Sequence, residues 1–258
     1  MSTPIVTIIT ITYNAEIVIE KTIQSVLNQT YSDFEHLIID GKSTDGTIAI
    51  VEKYEADIRN GNYAISPHQF RWISDPDTGL YHAMNKGIEL AKGNYIWFMN
   101  AGDKIHANDT LEKIAKKINE NQNPTVLYGQ SLIIDQNDRP LGERHKIAPS
   151  DLHLNHMLNG LVVCHQSILV KRDKAPLYDL QYRIASDYDW VIKVLMQSES
   201  NIYMDDYLSN FMIAGTSSVN RKRAWKERYC IMKKHFGLCK TLWAHFKIVL
   251  KYPFTRKY

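Results

Sequence analysis

Polar and acidic residues follow four stretches of the chain that have the composition of buried β-strands. They occupy positions 12–14, 40–46, 74–79 and 100–103, and three of the four groups also contain glycine. Ligands of open α/β sheets bind beyond the carboxyl ends of the parallel strands, so we expect these groups to meet in one crevice. Carboxylates there suit a hard divalent cation, which takes oxygen ligands and can bridge phosphates.

Each group taken alone also has a structural explanation. Asp40 can form a turn after a strand, and Asp103 can cap a helix. Asp75 and Asp77 flank Pro76 and can shape a turn. The convergence of all four groups at one edge of the sheet favours a ligand-binding site. Because the chain has neither a GxxxxGK(S/T) loop nor a GxGxxG fingerprint, it supports neither a P-loop NTPase nor a dinucleotide-binding domain.

The elements that must position these groups alternate between strand and helix. The predicted strands are 6–12, 34–39, 70–74 and 95–99, and the predicted helices between them are 16–27, 44–54 and 80–91. The first strand is β-branched throughout and apolar on both faces, which is typical of a buried parallel strand. This alternation predicts a doubly wound α/β fold with a parallel sheet.

The pattern of the chain is mixed, rather than regularly alternating, after residue 120. We predict a helix at 108–119, short strands at 126–128 and 132–134, a strand at 162–170, a helix at 186–196 and a strand at 202–208. The stretch 144–160 lacks periodicity and is predicted to be a mobile loop. The simplest organisation is one compact domain with a C-terminal appendage.

The composition of the 258 residues, 44% hydrophobic and 23% charged, is that of an ordinary globular protein. The net charge of +3 hides an asymmetry, because residues 219–258 carry a net +11 and the remainder a net −8. A basic tail indicates an anionic partner: a membrane, a nucleic acid or a phosphorylated ligand. The three cysteines lack metal or disulfide spacing, so we expect reduced thiols in a cytosolic protein. We expect neither a secretory signal nor a membrane-spanning helix.

The tail has helical stripes. Its first stripe consists of Trp225, Tyr229, Met232 and Phe236. In a second helix, Lys240, Lys247 and Lys251 oppose a face of Leu242, Trp243, Phe246, Val249 and Leu250. This basic amphipathic pattern is typical of a helix lying on an anionic membrane. The alternative, open for both helices, is that the apolar face packs on the domain.

Three motifs in a fixed order resemble those of the GT-A glycosyltransferases of family 2. They read IVTIITITYN, IIDGKSTDGT and SDPDTGLYHAMNKGIELAKGNYIWFMNAGD. The resemblance covers residues 4–218 and is most specific over 4–119. It implies a GT-A type α/β fold, with a Rossmann-like, mostly parallel central sheet flanked by helices and followed here by C-terminal amphipathic helices. It also implies transfer of a sugar from a nucleotide diphosphate sugar with inversion at the anomeric carbon.

The resemblance implies roles for the residues at the strand ends. The donor-binding positions would be Thr12, Tyr13, Asn14, Asp40, Gly41, Ser43, Asp77, Gly79, Asn85, Lys86, Asn100 and Ala101. Asp40 would contact the base, with uridine as the default and guanosine left open. The metal ligand would be Asp103, holding Mn²⁺ or Mg²⁺.

Several positions depart from the family pattern, and one of them is Gly102, which stands where the DxD motif has an acidic residue. Asn100 stands where the family has the first Asp of its DxD motif. Met84 stands where the family often has an Arg, so we expect the neighbouring Lys86 to supply the positive charge.

The resemblance places the catalytic base at Asp187, with Ser186 where a Glu often precedes it. The carboxylate would take a proton from the acceptor hydroxyl as that oxygen attacks the anomeric carbon. The alternative is that Asp187 is a stabilising carboxylate at a helix N-terminus. Asp189 is the second choice for the base.

Three further residues are candidates for contacts to the acceptor or the diphosphate: His165, Gln166 and Arg221. The alternative for His165 is a hydrogen-bonded structural histidine. The alternative for the loop 214–218 and the basic residues after it is a solvated linker.

We therefore predict a glycosyltransferase domain over residues 1–218, followed by a basic amphipathic segment over 219–258. Residues 1–119 would form the donor half and residues 120–218 the acceptor half. The enzyme would act at the cytoplasmic membrane face on a saccharide or lipid-linked acceptor, in polysaccharide or glycolipid assembly.

Two other functions compete with this one. A nucleotidyltransferase would normally have a glycine-rich basic loop after the first strand, which this chain lacks. A nucleic-acid-binding protein could use the basic tail, but the chain has no recognisable motif for that, and its acidic body would repel a polyanion.

Overall fold

The computed structural model describes residues 3–213 and 221–251, except for the side chains of Arg221 and of residues 248–251. Its strands are β1 (Val6–Thr12), β2 (Phe34–Asp40), β3 (Phe70–Ser74), β4 (Tyr95–Phe98), β5 (Lys104–Ile105), β6 (Val126–Ile134), β7 (Pro140–Glu143), β8 (Ile168–Lys171) and β9 (Asn201–Met212). Its α-helices are α1 (Ile19–Leu27), α2 (Thr47–Arg59), α3 (Leu80–Leu90), α4 (Thr110–Glu120), α5 (Ser186–Gln197) and α6 (Arg221–Lys251).

The strands form one sheet in the order β3-β2-β1-β4-β8-β6-β9-β5, with β7 paired to β6. The first four strands in this order are parallel, which brings their carboxyl ends to the same edge. β8 runs antiparallel between β4 and β6, and β9 runs parallel to β6. The predicted α/β fold with a mostly parallel sheet is confirmed. β1 and β2 are buried along their whole length, because helices cover both faces of the sheet.

Successive residues of the central strands face opposite sides of the sheet, so the core has two halves. One half contains Ile9 and Phe98 and receives apolar side chains from α3, α5 and α6. The other half contains Ile8 and Trp97 and receives them from α1, α2 and α4. The sheet therefore holds its helices in fixed positions around the strand ends.

The second half of the chain differs from the prediction in several places: β7 was not predicted, and β9 extends beyond the predicted strand at 202–208. The predicted short strands at 126–128 and 132–134 are one strand, β6, because its middle residues continue the pairing with β9 across a shift in register. The predicted strand at 162–170 is reduced to β8, which a 3₁₀ helix, His165–Ser167, precedes. The predicted mobile loop at 144–160 contains a 3₁₀ helix, Leu154–Asn159, and buries Leu152 and Met157 in the core.

The basic tail forms α6, which is broken at Gly237, where φ is 78° and ψ is 166°. Glycine tolerates this left-handed conformation without a steric penalty. The part before Gly237 packs on the domain through Ile231 and Met232, which are buried. The part after Gly237 buries Thr241 and Ala244. Within the described residues, no helix has the length and apolar character needed to cross a membrane.

A buried carboxylate, Asp189, holds α6 against α5. Its oxygens lie 2.6 Å from Lys193 Nζ, 2.7 Å from His235 Nε2 and 3.5 Å from Lys234 Nζ. Asp189 has no exposed surface, so removing these partners would leave a buried charge without compensation. These contacts favour a structural role for Asp189, the second choice for the base.

We expect His36 to make the fold sensitive to acid. This residue of β2 is fully buried, and burial lowers its pKa to about 3. The unfolded chain binds a proton near pH 6.5 and the folded chain does not, so stability falls as the pH drops from 6.5 towards 3. Each unit in this window costs about 1.4 kcal/mol, or about 2 kcal/mol at pH 5. His36→Gln should therefore lose about 2 kcal/mol less stability between pH 7 and pH 5 than the wild type.

Urea unfolding at the two pH values measures this difference. His68→Gln is the matched control, because His68 is exposed and is solvated in both states. An unchanged pH dependence in His36→Gln would contradict the prediction.

Candidate active site

The carboxylate of Asp40 ties together the ends of β2 and β3. It accepts hydrogen bonds from the backbone N–H of Ser43 at 2.8 Å, from the Ser43 hydroxyl at 2.5 Å and from the Ser74 hydroxyl at 2.6 Å. The side chain is buried and both oxygens are engaged within the protein. Asp40 thus shapes the loop after β2, and its contact with the base stays a prediction.

The end of β1 joins the same surface through Asn14. Its side-chain oxygen accepts the N–H of Thr44 at 2.9 Å, and its own N–H donates to the Ser43 hydroxyl at 2.8 Å. The φ of Asn14 is 47°, a left-handed conformation that asparagine tolerates better than most residues. Tyr13 beside it is exposed, and Thr12 is buried.

Gly41 lies where the third strand end reaches this surface. A Cβ atom on Gly41 would stand 2.6 Å from Asp77 Oδ2 and 3.3 Å from the Tyr13 ring, so a side chain there would displace both. Asp77 in turn accepts the N–H of Gly79 at 2.8 Å, directly before α3. The structure thus brings together the predicted positions of the first three strand ends.

A cavity of about 770 Å³ opens at the carboxyl end of β4. The predicted residues that line it are Asn100, Ala101, Asp103, His165, Gln166 and Asp187. Its other polar lining residues are Tyr81, Arg144, Cys164, Arg183 and Arg223. Of these, sequence reasoning gave a possible phosphate contact only to Arg223, among the basic residues after the loop 214–218.

Asp103 lies buried at this cavity. Its Oδ1 accepts the N–H of Met212 at 3.0 Å. Burial raises the pKa of Asp103 to about 7. The side-chain oxygen of Asn100 is buried at the same cavity and has no hydrogen-bond partner among the described residues. A carboxylate and a carbonyl oxygen left without a partner fit a hard divalent cation.

A second group of metal-binding side chains lies on the 144–160 segment. Asp151, His153 and His156 offer ligand atoms within 4.8 Å of one another. None of the three lines the cavity that contains Asp103, so this group lies apart from the predicted metal site.

Asp187 lies partly buried in the first turn of α5. Its Oδ1 accepts the N–H of Tyr188 at 2.8 Å and lies 3.4 Å from the hydroxyl of Tyr81. Burial raises the pKa of Asp187, while the Tyr188 N–H and the charges of Arg144 and Arg228 oppose that shift. A carboxylate with a raised pKa is a stronger base than a solvated one, which suits proton abstraction from a hydroxyl.

Glu227 of α6 fixes the backbone directly before α5. Its carboxylate accepts the N–H groups of Arg183, Ile184 and Ala185 at 3.1, 2.8 and 3.0 Å. It also accepts a bond from Arg223 Nε at 2.8 Å. Sequence reasoning missed this residue, although it is the one acidic residue among the twelve basic residues of the tail.

Two residues predicted to bind the sugar donor form hydrogen bonds with the protein backbone instead. The side-chain amide of Asn85 bonds both ways with the backbone of Tyr178, at 3.1 and 2.7 Å. Lys86 Nζ donates to the carbonyl oxygen of Pro76 at 2.9 Å. Neither residue lines the cavity, and the positive charges there come from Arg144, Arg183 and Arg223.

The remaining candidates differ in their surroundings. His165 lies among Phe98, Tyr178 and Trp190, with Nε2 hydrogen-bonded to the Tyr178 hydroxyl. Burial lowers the pKa of His165 to about 3, so the ring is neutral. The side chain of Arg221 and the predicted loop at 214–218 lie outside the described residues.

An α/β sheet whose strand ends hold buried carboxylates, a buried amide and arginines around one cavity fits a transferase that handles a phosphorylated donor. The chain belongs to glycosyl transferase family 2, because the model of that family matches residues 7–227. It is therefore an enzyme that transfers a glycosyl group from a nucleotide sugar. This assignment favours glycosyl transfer over the nucleotidyltransferase and nucleic-acid-binding alternatives.

Individual proteins agree with the family match. The PGL/p-HBAD biosynthesis glycosyltransferase of Mycobacterium bovis (strain BCG / Pasteur 1173P2) is 32% identical over 196 residues, which are 75% of this chain and 70% of that protein. TarS 1–349 of S. aureus, solved with UDP-GlcNAc, has a TM-score of 0.68 at 18% identity, covering 98% of this chain and 76% of TarS. The mannosyltransferase PcManGT of Pyrobaculum calidifontis, solved with GDP-Man and Mn²⁺, has a TM-score of 0.63 at 17% identity, covering 97% and 75%. These structural likenesses confirm the GT-A type of fold.

Glu227→Gln should slow turnover. The amide keeps one acceptor oxygen but turns an NH₂ group towards backbone N–H donors, so the segment before Asp187 loses its fixed position. A displacement of about 1 Å near the reacting groups can cost about 100-fold in rate, and unsatisfied buried N–H groups cost about 1–3 kcal/mol of stability. Glu199→Gln, in an exposed ion pair with Lys174, is the control. Steady-state kinetics below the melting temperature, together with thermal unfolding, measure both effects, and wild-type kinetics in Glu227→Gln would contradict the role.

Proposed function

We propose that this enzyme inverts the configuration of the transferred sugar, with Asp187 as the general base. One observation carries the proposal. Asp187 lies in the wall shared by the cavity that contains Asn100 and Asp103 and by a second cavity of about 390 Å³. A base between two cavities can meet an acceptor on one side while the donor occupies the other.

The acceptor hydroxyl would lose its proton to the Asp187 carboxylate while its oxygen attacks the anomeric carbon. The bond between that carbon and the diphosphate breaks, and attack from the face opposite the leaving group inverts the configuration. Arg183 and Arg223 line the cavity that contains Asn100 and Asp103, here called the donor cavity, and would stabilise the charge that develops on the diphosphate.

Asn100 and Asp103 are the residues that would hold a divalent cation, Mn²⁺ or Mg²⁺. The unpartnered Asn100 oxygen supports this assignment, and a relative in fold was solved with Mn²⁺. When bound, the cation would supply positive charge for the diphosphate leaving group. Gln166 lines the same cavity.

The donor proposed here is a UDP-sugar, and a GDP-sugar is the alternative. TarS was solved with UDP-GlcNAc and PcManGT with GDP-Man, so both bases occur on this fold. The exposed ring of Tyr13 beside Gly41 offers a face on which a base can stack.

Asp187→Asn should lower sugar transfer by about 10²–10⁴-fold, the usual contribution of a general base. The assay measures nucleoside diphosphate release from a panel of UDP- and GDP-sugars with Mn²⁺ or Mg²⁺, and NMR of the product gives the anomeric configuration. Asp173→Asn, an exposed residue outside both cavities, is the control. Full activity in Asp187→Asn would remove it as the base, and a retained configuration would refute inversion.

The C-terminal part of α6 supports a peripheral position on the cytoplasmic membrane face, with a saccharide or lipid-linked acceptor. Leu238, Leu242, Trp243 and Phe246 are each about half exposed, between 47% and 58%. Lys240 is exposed beside them, and Lys247 Nζ lies 5.3 Å above the Trp243 ring. Exposed aromatic and basic side chains on one helix are typical of a surface that binds anionic lipid.

Replacing both Trp243 and Phe246 by serine should lower membrane binding at least tenfold, because each large apolar side chain contributes about 1.5–3 kcal/mol when buried. Cosedimentation with phosphatidylglycerol vesicles measures binding, and phosphatidylcholine vesicles test the charge requirement. Leu141→Ser, equally exposed on β7, is the control. If the double variant and the wild type bind the vesicles equally, the exposed face of α6 does not bind the membrane.

A further inference from the structure

The second cavity beside Asp187 contains an unusual concentration of positive charge. Arg144, Lys146 and Arg228 line its wall, together with Trp225, which is about half exposed. Asn100 and Asp103, the proposed cation ligands, do not line it. The cavity is therefore accessible to the base but separate from the proposed metal site.

Two of these cations converge above Gly160. A Cβ atom built on this glycine would lie within 2.5 Å of both Lys146 Nζ and Arg228 Nη2, so the two nitrogens are at most 5 Å apart. Gly160 has a φ of 88°, which ends the 3₁₀ helix and leaves this space to the cations. Two like charges at this distance repel one another strongly in a partly buried site unless an anion lies between them.

Among the described residues, the one carboxylate in the wall of this cavity is Asp187, which experiences the charges of Arg144 and Arg228 without forming an ion pair with either. None of Arg144, Lys146 and Arg228 forms an ion pair there, whereas Arg223 and Lys234 of the same helix each pair with an acidic residue. Lys146 Nζ donates to the carbonyl oxygen of Asn159 at 2.7 Å, and the Arg228 guanidinium lies over the Tyr188 ring.

Arg144 is also left with free donor capacity. Its Nη2 makes one long bond of 3.4 Å to the carbonyl oxygen of Leu161, and its buried Nη1 has no partner in the described part of the chain. Burial, followed by the charges of Arg228 and Arg144, lowers the pKa of Lys146 to about 7. Three basic side chains without an ion pair around one cavity, one of them with a buried nitrogen that has no partner, indicate that an anion from outside the chain binds there.

We propose that this cavity binds a phosphate group carried by the acceptor substrate, with Arg144, Lys146 and Arg228 as its ligands. Three cations suit the doubly charged phosphate better than a single carboxylate, and arginine matches the geometry of phosphate oxygens. The acceptor hydroxyl would then lie at Asp187, and the Trp225 ring would contact a sugar ring. The inference rests on the proposed role of Asp187 and assigns the substrate class of the same site.

The test uses glucose 6-phosphate and methyl glucoside as charged and neutral probes of similar size, with inorganic phosphate as a third. Calorimetric titration into the full-length protein saturated with UDP and Mn²⁺ measures binding without turnover. We expect glucose 6-phosphate to bind at least tenfold more tightly than methyl glucoside. Lys146→Met and Arg228→Gln should each weaken that binding at least tenfold, while UDP affinity stays within twofold. Lys116→Met, an exposed residue of α4 outside both cavities, is the matched control.

Each outcome decides the proposal. Inorganic phosphate that binds as tightly as glucose 6-phosphate would support the phosphate ligands but not the contact with Trp225. Equal binding of the charged and neutral probes would overturn the proposal. A parallel loss of UDP affinity in Lys146→Met would assign these cations to the donor instead and would also overturn it. Because the titration involves no catalysis, its failure is distinct from the failure of Asp187 as the base, which only the transfer assay reports.

Discussion

The contact between Glu227 and three consecutive backbone N–H groups is the interaction on which the active site most depends. The segment before a helix presents N–H groups that the helix itself cannot satisfy, and burying them without acceptors would be costly. Here the acceptor comes from α6, more than forty residues further along the chain. The position of Asp187 is therefore set by the tail as well as by α5. A second contact also fixes the tail on the domain. The buried carboxylate of Asp189 in the acidic body pairs with Lys234 and His235 of the basic tail.

The first half of the fold could be predicted from the sequence because its signals are local. β1 and β3 have the predicted bounds. For β1 the reason is that a β-branched segment that is apolar on both faces fits a parallel strand covered by helices. The second half depends on pairing between distant segments. The pairing of Gln130 and Ser131 with β9 makes β6 continuous, and nothing in their own composition indicates this. The 144–160 segment has no helical or strand periodicity, because its one regular element is a short 3₁₀ helix. Its sequence therefore did not indicate that Met157 is fully buried.

Sequence motifs located the site but did not determine which side chains face it. Asn85 occupies a motif position, yet both ends of its amide bond to the backbone of Tyr178. Arg144 belongs to no motif and lies in a segment without helical or strand periodicity, yet it lines both cavities. A motif fixes the course of the backbone, whereas the direction of a side chain depends on contacts with segments far away in the sequence. Charge provided one usable signal. Glu227 is the one acidic residue in a basic segment, and such an isolated residue indicates a specific contact for its carboxylate.

The two carboxylates that line the donor cavity, Asp103 and Asp187, experience different electrostatic surroundings. Burial raises the pKa of both, but only Asp187 lies near Arg144 and Arg228, whose charges favour its ionised form. On the proposal that an acceptor phosphate binds these cations, the phosphate would neutralise the charges that keep Asp187 ionised. The proton affinity of Asp187 would then rise when the acceptor hydroxyl is in place, and would stay lower in its absence. The same cations that recognise the acceptor would thus couple its arrival to the strength of the base, and a neutral acceptor bound in the same cavity would not produce this coupling.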